Sequence, residues 1–188
     1  MNADKLVVGL AGMPGSGKSL AVETAQLEGY AAVAMGDVVR EETQKRGLDI
    51  NPKNMGKVML ELREKGGKRI IAERCIPRIE QKESGKVIVD GLRSLDEVEA
   101  FKARFPKFSL MAIHASPETR FNRLYRRRRE DDPDEWELFR ERDTRELSVG
   151  LGNTIATAEY LIVNENNKNE TKAKVRETLH KVEKKWKK

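Results

Sequence analysis

The stretch Leu6 to Glu28, LVVGLAGMPGSGKSLAVETAQLE, decides the fold. It runs from the apolar segment Leu6 to Leu10 into Gly12-Met13-Pro14-Gly15-Ser16-Gly17-Lys18-Ser19, a complete G-x-x-x-x-G-K-S/T loop, and then into a helix-like stretch from about Gly17 to Glu28. Glycines let the backbone turn its N–H groups inward around phosphate oxygens, while a lysine at this spacing reaches the terminal phosphates. The hydroxyl of Ser19 is placed to join the coordination shell of Mg²⁺. The helix that follows aims roughly half a positive charge at the same anions. A glycine-rich turn that binds nothing is the bland alternative, and the strand before it and helix after it argue against that. The expected ATP-binding set is Gly12, Met13, Pro14, Gly15, Ser16, Gly17, Lys18, Ser19 and Leu20.

Outward from this loop, five short apolar runs alternate with helical patterns: Lys5 to Leu10, Ala31 to Met35, Lys86 to Asp90, Phe108 to Ala115 and Tyr160 to Asn164. Such alternation predicts an α/β fold of three layers, with a five-stranded parallel sheet covered on both faces. About fifty residues separate the second run from the third, and Gly36 to Arg46, Pro52 to Glu64 and Lys68 to Glu83 all read as helices. The reading is one domain over 1–188 with a helical insert at about 36–85 and a second, shorter insert at about 118–148. Ser116 and Pro117 suit an N-cap and first turn, as do Asp132 and Pro133. Between these pairs lies Arg126-Arg127-Arg128-Arg129-Glu130-Asp131-Asp132, too charged for a core. It is either a salt-bridged surface hairpin or an arginine-bearing cover over a polyphosphate.

Composition narrows the function classes. The 188 residues carry a formal charge of +6, yet Lys168 to Lys188 holds nine basic and three acidic residues and so accounts for all of it. Val175, Leu179, Val182 and Trp186 give that terminal helix a narrow apolar stripe, and its lysines read as a solvated face. A weak RNA or acidic-partner contact through Lys184, Lys185, Lys187 and Lys188 stays open, but nucleic acid is not the expected partner. No apolar run approaches the ~20 residues of a membrane span, and Met1 to Lys5 leads straight into the first strand, so the expected location is cytoplasmic. The single Cys75 allows no internal disulfide and reads as a small buried side chain. His114 reads as a packed strand residue and His180 as a surface one.

With these motifs in order, nearly the whole chain resembles the adenylate kinase group of nucleoside monophosphate kinases, most closely an archaeal P-loop family described as adenylate-kinase-related. Gly12 to Ser19 is similar to its phosphate loop. Met35-Gly36-Asp37-Val38-Val39-Arg40 resembles its T-G-D-x-L/V-R motif, and Val87 to Arg93 resembles its strand ending in D-G-F-P-R. Asn122 to Arg127 matches the spacing of its first two lid arginines. Asp131-Asp132 with Arg140, Arg142 and Arg145 resembles the segment bringing further cations. The resemblance implies a helical monophosphate-binding insert and a short lid. It implies monophosphate contacts from Gly36, Asp37, Arg40, Gly91 and Arg93, and catalytic roles for Lys18, Arg123, Arg127 and Arg142. Met35 stands where the group has threonine, the D-G-L-R motif lacks proline, and the adenine-reading glutamine has no counterpart in Ser94 to Val98. The acceptor base is therefore not specified by motif.

Phosphoryl transfer needs little covalent help. It must hold anionic oxygens together and neutralise the charge spread over the migrating group. Lys18, Mg²⁺ and arginine forks from separate segments meet that need, and Arg123 and Arg127 share one helix face. Asp90, expected at the end of a strand at the sheet's carboxyl edge, pairs with Ser19 as a Mg²⁺ ligand or outer-sphere partner. The leading expectation is Mg²⁺-dependent transfer from ATP to an AMP-like nucleoside monophosphate. Alternatives are an NTP hydrolase with a regulatory acceptor pocket, a dephospho-coenzyme A kinase, whose last strand Ala158 to Asn164 resembles, and a non-catalytic nucleotide sensor.

Overall fold

The computed structural model describes residues 4–128 and 132–187. β1 (Leu6–Ala11) is buried along its whole length, because it lies at the middle of the sheet with helices on both faces. The chain then forms α1 (Lys18–Leu27), β2 (Ala31–Ala34) and three helices in succession, α2 (Met35–Lys45), α3 (Pro52–Gly66) and α4 (Ile70–Glu80). β3 (Lys86–Leu92), α5 (Leu95–Arg104) and β4 (Phe108–His114) follow, then α6 (Pro117–Arg127), α7 (Trp136–Ser148) and α8 (Leu151–Ala156). β5 (Tyr160–Val163) and α9 (Lys168–Trp186) close the order.

The five strands are parallel in the order β2-β3-β1-β4-β5. Alternation along each strand divides the core in two. Val7, Val87, Val89 and Leu110 pack with residues of α2 to α5 such as Val38, Met59, Cys75 and Phe101. Val8, Ile88 and Met111 pack with Ala21 and Ala25 of α1 and with Val175, Leu179 and Val182 of α9. The apolar stripe foreseen on the terminal helix is thus the one that docks. Trp186 adds a hydrogen bond from its indole N–H to Ser109 Oγ at 3.1 Å. Cys75 is fully buried on α4, and burial pushes its thiol up to about 12. No helix among the described residues is long and apolar enough to cross a membrane.

Several boundaries differ from expectation, each for a visible reason. The second strand stops at Ala34, because Met35 opens α2 with its side chain buried beside Val38 and Val39 at helical spacing. The third strand does not end at Asp90. It continues to Leu92 through Gly91, whose φ of 100° accompanies an irregularity of register against Leu10 and Ala11. Ser116 and Pro117 do cap α6. Asp132 and Pro133, by contrast, do not open α7, which starts at Trp136 behind Glu135; the Asp132 carboxylate is drawn instead to Arg127. α8 follows a left-handed Gly150 and was not foreseen. His114 is exposed at the carboxyl end of β4, not packed, because the strand emerges from the core there. His180 lies on the surface beside Glu28.

Candidate active site

The loop between β1 and α1 is held by features that only part of its sequence announces. Gly15 and Gly17 have φ of 81° and 105°, a region that side chains penalise. A Cβ at Gly12 would fall 2.6 Å from the Ile113 carbonyl oxygen, and one at Gly17 would fall 2.1 Å from Asn164 Nδ2. No side chain among the described residues caps α1, which leaves its first-turn amides for a ligand. Lys18 Nζ folds back onto the carbonyls of Gly12 at 2.6 Å and Met13 at 3.3 Å. Burial lowers the pKa of this ammonium, and the Asp90 charge opposes that shift. The Ser16 hydroxyl is buried with no hydrogen-bond partner among the described residues, whereas Ser19 is exposed.

Two residues that the sequence did not single out brace this loop. Asn164, just past β5, donates from Nδ2 to the Ser16 carbonyl at 2.8 Å and accepts from Thr171 Oγ1 at 2.7 Å. Its carbonyl accepts from Arg123 Nη2 at 2.9 Å, so this expected lid arginine is docked against β5. Arg120, buried on α6, donates to the carbonyls of Ala115 at 3.1 Å and Pro14 at 3.2 Å and grips Asp143 of α7 through both terminal nitrogens. Its guanidinium also lies over the Phe139 ring, 4.8 Å from the centroid.

Beside the loop a cavity of about 670 Å³ opens between α2, α3, α7 and the sheet edge. Of the expected residues it gathers Lys18, Gly36, Asp37, Arg40, Asp90, Gly91, Arg93, Arg142 and Arg145, but not Arg140. Arg123 and Arg127 do not line it. Although they share a helix face, Arg127 is turned to Asp132, donating from Nε at 2.8 Å, and Arg142 approaches the same carboxylate at 3.9 Å. Asp131 lies outside the described residues.

Charges within the cavity are mostly matched. Arg40 pairs with Asp37 one helical turn away. Arg93 reaches Glu146 of α7 at 3.1 Å and lies 2.8 Å from the Met59 sulfur. Glu97, fully buried, accepts from the Arg93 backbone N–H at 2.7 Å and from the Arg63 side chain. Asp90 Oδ1 is buried with no hydrogen-bond partner among the described residues, and burial raises its pKa against the pull of Lys18 and Arg93. An orphaned carboxylate oxygen beside a phosphate loop suits Mg²⁺. Among the described residues no group of three or more His, Cys, Asp or Glu side chains is placed to hold a metal, so such an ion would depend on nucleotide oxygens and water as well.

This is the architecture of a P-loop nucleotide-binding protein, and residues 11–140 match the AAA domain family. More narrowly, the chain belongs to the UPF0200 protein family of archaea. It is 43% identical over 181 residues to the UPF0200 protein of Thermococcus onnurineus, covering 94% of this chain and 98% of that one. With the UPF0200 protein of Methanocaldococcus jannaschii the identity is 50% over 162 residues, or 85% of this chain and 82% of the other. Among solved structures, TT1252 from Thermus thermophilus aligns with a TM-score of 0.65 at 14% identity, covering 93% and 96% of the two chains. Shikimate kinase from Bacteroides thetaiotaomicron aligns at 0.58 and 14%, covering 95% and 98%. Likeness at that identity is one of fold. Fold, loop and family together support nucleotide binding and phosphotransfer in general.

Proposed function

We propose that this protein transfers the γ-phosphoryl group of ATP to an AMP-like nucleoside monophosphate. The observation that carries the reading is the single cavity in which Lys18 and Asp90, beside the phosphate loop, meet Arg40 of α2, Arg93 just past β3 and Arg142 of α7. In this reading α2 to α4 form the acceptor insert, and α6 with α7 forms the lid. The loop amides and Lys18 hold the donor phosphates. Arg40, steadied by Asp37, and Arg93 hold the acceptor phosphate beside Gly36 and Gly91, where no side chain crowds it. Arg142, with Arg123 and Arg127 moving in from the lid, neutralises charge on the migrating group. Asp90 and Ser19 would hold Mg²⁺, which when bound offsets charge on the phosphate oxygens.

A coupled assay with ATP and a panel of monophosphates tests this. ADP should form with AMP, and Arg40→Ala and Arg93→Ala should raise the acceptor KM far more than that for ATP. If no monophosphate yields ADP, the reading fails.

A further inference from the structure

We infer that Arg128 and Arg145 form a second anion subsite in this cavity, so that the preferred acceptor carries a further phosphate-like group beside the one engaged by Arg93. The inference rests on the acceptor reading above and names its substrate class more closely.

Among the described residues that line the cavity, seven side chains are cationic and three are anionic. Most of those cations already have partners: Lys18 rests on carbonyls, Arg40 on Asp37, Arg63 on Glu97, Arg93 on Glu146 and Arg142 on Asp132. Arg128 and Arg145 make no side-chain hydrogen bond or ion pair with any of the described residues. Two guanidinium groups that face one positively charged hollow with no partner among the described residues repel each other and their neighbours. An incoming anion relieves that repulsion, and the guanidinium fork takes phosphate oxygens in pairs.

Backbone geometry points the same way. Arg128 closes α6 in the left-handed region, with φ 52° and ψ 45°, and is the one non-glycine residue with positive φ among those described. Glycine fills such a cap without strain, whereas a residue with a Cβ crowds its own carbonyl there. Strain of this kind clusters where a side chain is needed in place, and here the side chain lines the cavity.

Position assigns the anion to the acceptor. Arg145 crosses α3 at Gly56, its Nε 3.7 Å from where a Cβ of that glycine would stand. Gly56 precedes Met59, on whose sulfur Arg93 rests, by three residues, a rise of roughly 4.5 Å along the helix. Both arginines therefore serve one ligand lying along α3. Its body rests against Met55 and Met59. Among the described residues Asn51 is the one neutral hydrogen-bonding side chain in the lining, and its Oδ1 already accepts from the Asn54 N–H at 2.9 Å. Such a wall reads charge far better than it reads a base. The ligand class is a nucleotide bearing two anionic groups, such as a bisphosphate or a pyrophosphate-linked nucleotide.

Calorimetric titration of the intact protein with AMP, adenosine 3′,5′-bisphosphate and ATP tests the subsite. The wild type should bind the bisphosphate about tenfold more tightly than AMP, as one added charge-assisted contact implies. R128G preserves the left-handed cap and should keep or raise Tm, which separates loss of the side chain from loss of fold. R128G and R145Q should each cut the preference to about threefold or less. A wild-type preference near one, or a preference that survives in both variants, overturns the inference. So does a loss confined to ATP, which would give the pair to the donor. Phosphorylation of AMP without bisphosphate preference leaves the kinase reading standing and this subsite refuted; preference without phosphoryl transfer does the reverse.

Discussion

Asp90 sits in a place where folding favours its neutral form. Its pKa is raised by burial, so the stability it contributes is complete below the ordinary carboxylate range and is lost as pH rises through the raised value. Asp90→Asn should therefore raise the Tm of the nucleotide-free protein at pH 7, by about 2–4 °C for each kcal/mol relieved. That gain should vanish as the pH falls toward 4, while Mg²⁺-dependent turnover drops roughly a hundredfold or more. Thermal scans across pH beside steady-state assays check both halves. Gly17→Ala makes a companion test, because its methyl would strike Asn164 Nδ2 and its φ of 105° penalises any side chain. ATP affinity should fall sharply, as read by titration. Lys18, Gly17 and Asp90 were legible because the phosphate loop and the strand beside it are local patterns. Asn164 was not, since it grips Ser16 from 148 residues away and nothing in its own neighbourhood announces that contact.

Between elements, Arg120 is the clearest joint, linking the phosphate loop through Pro14, α6 through its own backbone and α7 through Asp143. Arg120→Ala leaves Asp143 without its buried partner and should lower stability by about 3–5 kcal/mol. Urea unfolding measures it, and a loss below about 1 kcal/mol would deny the joint. Helices and strands themselves were largely readable from apolar spacing and from caps such as Ser116. The errors came where contacts at middle range overrode local preference. Asp132 has the residue type and the following proline of an N-cap, yet the arginine five positions before it takes its carboxylate, and α7 begins later. Glu97 and Glu146 escaped notice for the related reason that an acidic residue on a helix reads as surface until its guanidinium partner is located.

For the molecule as a whole, α9 closes one face of the sheet although it carries seven basic residues against three acidic ones. Leu179→Ala should cost about 2–5 kcal/mol, since the side chain is fully buried, while Lys184→Gln should stay within about 0.5 kcal/mol. Chemical denaturation distinguishes the two. The sandwich of five parallel strands followed from alternating apolar runs, whereas the order β2-β3-β1-β4-β5 depends on pairings that no single segment encodes. Because the only thiol is Cys75, sealed beneath the α2 to α4 helices with its proton firmly held, the untouched protein carries its own reporter. Alkylation can proceed only as fast as that helical cover lifts away, so labelling half-lives time its breathing once enough reagent is present that adding more no longer shortens them. An acceptor lodged between α2 and α3 should lengthen them.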